Sequence, residues 1–206
     1  MKNDFHRLAD DLTARVSGDE VLLLNFAGET TDFIRFNQSR VRQPGHVQQR
    51  YLAIQLVDGQ GQGQGQRHAT TQVTLTGDLD EDTRRTVKVV DDLRQRLPQL
   101  PKDPHLFYAT EPTSSQQEAA SHLPATSQVV DEVLAAGAGR DLVGLLAQGG
   151  MYRGFANSFG QRNWSTTHSF NLDWSFYLRE DKAVKCGYAG VEWDGDDLQV
   201  LPGVDL

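Results

Sequence analysis

The stretch that decides the fold reads NWSTTHSFNLDWSFY, residues 163–177. Trp164, His168, Phe170, Leu172, Trp174 and Phe176 share one parity. Ser165, Thr167, Ser169, Asn171, Asp173, Ser175 and Tyr177 share the other. Successive residues of a β-strand point to opposite sides of the sheet, so the alternation predicts a strand with one aromatic, apolar face and one face of hydroxyl and amide groups. Just upstream, MYRGFANSFG (residues 151–160) reads as a strand running into a turn, with an exposed Arg, an Asn-Ser pair and two glycines that are not typical core filler. Two readings of the segment stand side by side. It is an aromatic core face backed by an ordinary wet face, or it lines a groove that holds an extended peptide through edge pairing and side-chain pockets.

Working outward, residues 3–16 are expected to form an amphipathic helix, with Phe5, Leu8, Leu12 and Val16 at helical spacing. Residues 21–26 read as a strand, broken at 28–31. A second strand covers 32–43, Pro44-Gly45 turns the chain, and 47–57 is the clearest strand of all. The run GQGQGQGQ (59–66) lacks the Lys-Ser/Thr and the following helix that a phosphate loop requires. It reads as a flexible hairpin connection into a strand at 68–76. Asp78 and Glu81 have capping-box spacing for a helix ending near Leu97, where Pro98, Pro101 and Pro104 stop it.

Residues 98–124 read as an extended excursion with a short strand at 105–109. A third helix is expected at 127–136, capped by Ser127 or Thr126. Strands at 142–148, 151–158, 165–178 and 184–192 follow, then a hairpin turn at Asp194-Gly195 and the beginning of another strand from 198 onward. The expectation is an α+β fold with mostly antiparallel pairing and about three helices, since the strands adjoin without crossover helices. The whole chain, 1–206, reads as one domain with sub-parts 1–100 (helix, strands, helix) and 125–206 (helix plus strands).

The chain has 206 residues and a net charge of −8. An acidic domain repels a phosphate backbone unless a basic patch is segregated on one face. Arg35, Arg40, Arg42 and Arg50 are interspersed with Gln over two strands and read as a solvated face, so no direct nucleic-acid partner is expected. No apolar run approaches the roughly 20 residues of a membrane helix, and the charged N-terminus has no apolar core of a signal peptide. Cys186 is the only cysteine, so no intrachain disulfide can form; a cytoplasmic location is expected.

No catalytic constellation can be assembled. The six histidines are too far apart in sequence for a helical zinc pair. There is no Gly-x-Ser-x-Gly elbow. Ser158 has no His placed beside it by the sequence, and Cys186 next to Lys185 points to the opposite side of a strand. The paired acids read as solvated helix or turn faces.

Arg35-Phe36-Asn37-Gln38-Ser39-Arg40-Val41-Arg42-Gln43 and the later Tyr152-Arg153-Gly154-Phe155-Ala156-Asn157-Ser158-Phe159-Gly160 resemble the N-terminal half of TldD/PmbA proteins, also known as modulators of DNA gyrase. The similarity lies in an early Arg-Phe-x-Asn-Ser-type strand, an intervening helical segment and a later strand ending in Asn-Ser-x-Gly, and it covers most of the chain. The resemblance implies an intracellular metallopeptidase system acting on peptide or protein substrates. It also implies an α+β N-terminal domain that walls a peptide chamber and joins a homo- or hetero-dimer with a TldD/PmbA-type subunit.

In that family the zinc motif His-Glu-x-x-x-His and a further Cys ligand lie in the C-terminal half, and members without the motif act as partners. No His-Glu dipeptide occurs in this chain. No catalytic residue, metal ligand or cofactor therefore carries over, and the C-terminal metallopeptidase-type domain is expected to lie outside these residues. Arg153, Asn157, Ser158 and Gly160 are the candidate substrate-channel residues, in a supporting role. The competing reading is a standalone protein-binding module that presents a strand edge or the aromatic face.

Overall fold

A computed structural model describes residues 1–59, 65–179 and 182–198. In chain order the elements are α1 (Lys2–Thr13), β1 (Val21–Asn37), β2 (Arg40–Val57), β3 (His68–Thr74), α2 (Leu79–Arg96), β4 (Ser115–Glu118), α3 (Thr126–Ala136), β5 (Asp141–Asn157), β6 (Arg162–Arg179) and β7 (Lys182–Gly190), with short 3-10 turns at Leu97–Gln99 and Gly195–Leu198. The strands run in the order β3-β2-β1-β5-β6-β4, and β7 also pairs with β6. This is the expected α+β class with three α-helices. The β2–β3 and β6–β7 pairs are antiparallel; β4 is the exception and lies parallel to β6.

Two compact units emerge, each gathered from three stretches of chain. The first comprises Met1–Gly28, Gln49–Glu118 and Tyr152–Thr166; the second comprises Glu29–Gln48, Ala119–Met151 and Thr167–Leu206. In the first unit α1 and α2 cover one face of the strands. Phe5, Leu8, Ala9 and Leu12 of α1 and Val90 and Leu93 of α2 pack on Leu22, Leu24, Phe26, Leu52, Ile54, Leu56, Ala156 and Trp164. Each of these residues sits at the parity its element's period assigns to the core. Gly154 is required under α1, because a Cβ there would lie 2.5 Å from the Phe5 ring.

In the second unit α3 plays the same part. Val129 and Val133 pack on Ile34, Phe36, Leu142, Leu146, Leu172, Trp174 and Phe176. The aromatic parity of residues 163–177 is thus core: Trp164, Phe170, Leu172, Trp174 and Phe176 are all buried.

Several boundaries differ from the sequence reading, each for an identifiable reason. β1 runs unbroken through residues 28–31 and turns at Gln38 and Ser39, both at φ 52°. That left-handed pair is the geometry of a two-residue hairpin. Ser39 locks it by donating to the Gly137 carbonyl (3.2 Å) while its Oγ accepts from Leu142 N (3.2 Å). β2 likewise passes straight through Pro44-Gly45. Among the described residues β3 pairs with Tyr51–Val57, so Pro44 lies on a stretch of β2 that has no β3 neighbour, the kind of edge position where a strand tolerates proline.

Residues 142–148 and 151–158 form one strand rather than two, because Gly149 lets the backbones close up: a Cβ there would lie 2.0 Å from the Thr30 carbonyl. Residues 105–109 are not a strand; the excursion instead contributes β4, further on. The residue preceding α3 is Ala125, without a side-chain cap, because the Thr126 hydroxyl is engaged elsewhere. Asp194-Gly195 opens a 3-10 turn, not a hairpin. Most of the GQGQ run (60–64) and of the last expected strand (199–206) lies outside the described residues.

The helix α2 starts as expected, with Asp78 Oδ1 accepting from Glu81 N at 2.9 Å. A second acid in the same turn carries more weight. Asp82 is 4% exposed and accepts from Thr76 N (2.8 Å), Thr76 Oγ1 (3.0 Å) and Gly77 N (2.9 Å), so it ties the end of β3 to the helix. Asp82→Ala leaves two backbone donors unsatisfied and is expected to cost roughly 2–3 kcal/mol, read from the urea midpoint at unchanged m-value.

Candidate functional site

With α1 and α2 on one side, the other face of the first unit's strands is only partly covered. The segment after α2 lays Leu106 and Tyr108 over Val21, Leu23 and Val57, with Phe155 and Phe159 alongside; Tyr108 and Phe159 stack at 6.2 Å. Past that cover the face opens into a cavity of about 760 Å³. Its floor comes from odd-numbered residues of four strands, such as Asn25, Tyr51, Arg153 and Asn163. Phe155 and the β4 residues Ser115, Gln116 and Gln117 complete a side of it. The volume falls in the range of ligand sites, about 300–1,000 Å³.

The chemistry of this lining is narrow. Amides dominate the polar groups, aromatic rings supply the apolar area, and among the described residues Arg153 is the one charged side chain. Arg153 Nη1 donates to the Tyr152 carbonyl at 3.3 Å, and among the described residues no carboxylate pairs with its guanidinium. Opposite, β4 is exposed at all four positions and, among the described strands, pairs only with β6.

The four residues singled out from the sequence separate into two groups. Arg153 faces the cavity. Asn157, Ser158 and Gly160 build the turn from β5 to β6. Asn157 is 1% exposed, and its Oδ1 accepts from Phe159 N (3.1 Å) and Gln161 N (3.0 Å), an Asx-type turn. Its Nδ2 is buried without a hydrogen-bond partner among the described residues. Ser158 Oγ accepts from Leu22 N (3.1 Å) while Ser158 N donates to the Leu22 carbonyl (3.0 Å). Gly160, at φ 93°, completes the reversal. Most of the other lining residues lie at the wet parity of their strands, with Phe26, Gly154 and Trp164 of the core parity beneath them, but no single strand reveals that several such faces converge.

A second polar cluster was not legible from sequence. In the second unit His46 Nδ1 lies 2.7 Å from Asp32 Oδ1, the other Asp32 oxygen accepts from Thr126 Oγ1, and Gln148 Nε2 donates to Thr126 Oγ1 (2.9 Å) and to the Pro124 carbonyl (3.1 Å). The hydrogen bonds from His46 and Thr126 hold the Asp32 carboxyl below the ordinary carboxylate value. The order of contacts is hydroxyl to carboxylate to imidazole. The imidazole does not reach the hydroxyl, so it is not placed to take its proton as a nucleophile's base must. The cluster anchors the start of α3 to β1 and β2.

Cys186 stands opposite Trp174 in the β6–β7 ladder. Among the described residues no three His, Cys, Asp or Glu side chains approach closely enough to share a metal ion. No helix is long and apolar enough to cross a membrane.

Two outcomes follow from these placements. Asn157→Ala is expected to lower stability by roughly 1–2 kcal/mol through loss of its turn bonds, whereas Arg153→Gln on the exposed face is expected to change it by less than about 0.5 kcal/mol, both measured by thermal and urea unfolding. His6 packs against Phe5 and Trp164, and its Nε2 is buried without a hydrogen-bond partner among the described residues. Burial first, and the nearby Arg162 charge second, push its pKa below 6.5. The unfolded chain then binds this proton more readily than the folded one, so the contribution of His6 to stability is intact above pH 6.5 and lost as pH falls from there through the lowered folded value. A ring-proton NMR titration of His6 with a midpoint at or above 6.5 would contradict this.

No family model matches the sequence, and no curated protein matches it at a significant level. Solved structures do. A candidate modulator of a DNA gyrase from Thermotoga maritima superposes with a TM-score of 0.62 at 10% identity, over 96% of this chain and 45% of that one. TldE from Thermococcus kodakarensis gives 0.63 at 10% identity over the same shares, 96% and 45%. A candidate modulator of DNA gyrase from Bacteroides thetaiotaomicron gives 0.56 at 14% identity, over 91% of this chain and 43% of that one. The chain thus spans less than half the length of the proteins it matches. Its fold is that of the TldD/PmbA-type proteins, over a stretch that makes up just under half of each of them.

Proposed function

We propose that this chain is a non-catalytic N-terminal domain of a TldD/PmbA-like peptidase system, contributing the wall of a substrate chamber and contacts to a dimer partner. The observation that supports this most is the coverage: 91–96% of this chain superposes on 43–45% of TldE and of the gyrase-modulator proteins. In this reading the bond-breaking groups belong to residues outside this chain. The cavity with Arg153 is the part of the wall that meets an extended peptide, and Asn157, Ser158 and Gly160 hold the turn beside it. The partner is a TldD/PmbA-type subunit, either a second copy or a zinc-bearing relative, and the setting is the cytoplasm.

The second reading, a standalone binding module, draws on one feature. The aromatic face lies inside the two cores, which leaves the exposed β4 edge as its docking surface. The two readings part at the gene. A reading frame that continues past Leu206 into a His-Glu-x-x-x-His segment, or into a related half without it, supports the domain; a stop codon after Leu206 supports the module.

The purified chain, incubated with zinc and desalted, is expected to retain less than stoichiometric metal and to leave test peptides intact. Stoichiometric zinc by elemental analysis, with cleavage abolished by chelation, would overturn the non-catalytic reading.

A further inference from the structure

We infer that the cavity beside β4 seats the C-terminal end of a peptide, with Arg153 binding the free α-carboxylate. The inference rests on the peptide-wall reading and names what that wall recognises. The first ground is charge. Among the described residues Arg153 is the only charged one in the lining, no acid lines the cavity, and no carboxylate pairs with the guanidinium. Most of its N–H groups are therefore open to an anion, and a planar guanidinium matches a carboxylate in a two-point contact.

The second ground is the company Arg153 keeps. Asn25, Gln72 and Gln117 offer both donors and acceptors, the two-sided complement of a peptide backbone, while the amide of Asn163 is engaged by Thr113, Ser115 and Gln161. Phe155 and Tyr51 provide flat apolar surface for a side chain. The exposed edge of β4, which pairs among the described strands with β6 alone, adds main-chain groups against which an extended strand can pair.

The third ground selects the source of the carboxylate. The chain carries −8 overall, so its field repels a ligand with many acidic side chains. A single cation in an otherwise neutral cavity fits a ligand with a single negative charge, and the terminus of a neutral peptide is that ligand.

Fluorescence anisotropy with the full chain tests this, using an N-terminally labelled neutral hexapeptide as the free acid, the same peptide as its C-terminal amide, and the amide carrying one internal Asp. The free acid is expected to bind about tenfold or more tightly than the amide, in line with one charge-assisted contact. Arg153→Gln is expected to abolish the difference between acid and amide, and Arg153→Lys to restore part of it; circular dichroism confirms that both variants fold. Equal binding of acid and amide would overturn the carboxylate assignment while leaving the peptide wall standing. Binding of neither would overturn both. An internal-Asp amide that matches the free acid would overturn the assignment to a peptide terminus.

Discussion

In each unit, helices pack on one face of the strands, and in the first unit the other face is only partly covered. Because a β-strand alternates strictly, every residue of the long strands is committed to one side or the other, and a one-residue slip would exchange the two. The apolar parity is therefore the constraint on which the rest depends. Leu22, Leu24 and Phe26 beneath α1 force Asn25 and Ala27 onto the open side, and Gly154 and Ala156 beneath the same helix force Arg153 and Phe155 there. The cavity follows from the core by geometry: its polar floor is the reverse side of the packed layer.

The same logic explains how a fold can persist at 10% identity. Packing asks for apolar volume at the right parity and tolerates many substitutions that keep it. A few positions are less forgiving. Gly149 lies against the Thr30 carbonyl, Gly154 lies against Phe5, and Asp82 satisfies both backbone donors at the end of β3. These are places where backbone closeness or a buried acceptor, rather than hydrophobicity, dictates the residue.

The polar clusters divide by role along a similar line. Asp32, His46, Thr126 and Gln148 are connected to one another, and their hydrogen bonds are spent on holding α3 in place. Arg153 is the opposite case, a cation without a carboxylate partner in the described chain, set among amides and aromatic rings. A network that is already satisfied stabilises; an exposed, unneutralised group in a concave site is available to a ligand.

From residues 163–177 alone, the parity of the chain already announced an aromatic core face and a wet face. Helical spacing located α1 and α2, and Asp78 with Glu81 marked where α2 begins. These signals are local, set by periodicity and capping within one element. What the sequence misplaced was also local in appearance but tertiary in cause. Pro44-Gly45 looks like a turn until β2 is seen to lack a β3 neighbour there, and residues 28–31 look like a break until Gly149 is found against them. The convergence of Asn25, Tyr51, Gln72, Arg153 and Asn163 on one cavity was settled only by strand order and register. A single strand specifies which of its side chains face away from the core. Which other strands place theirs beside them depends on pairings between residues far apart in the chain.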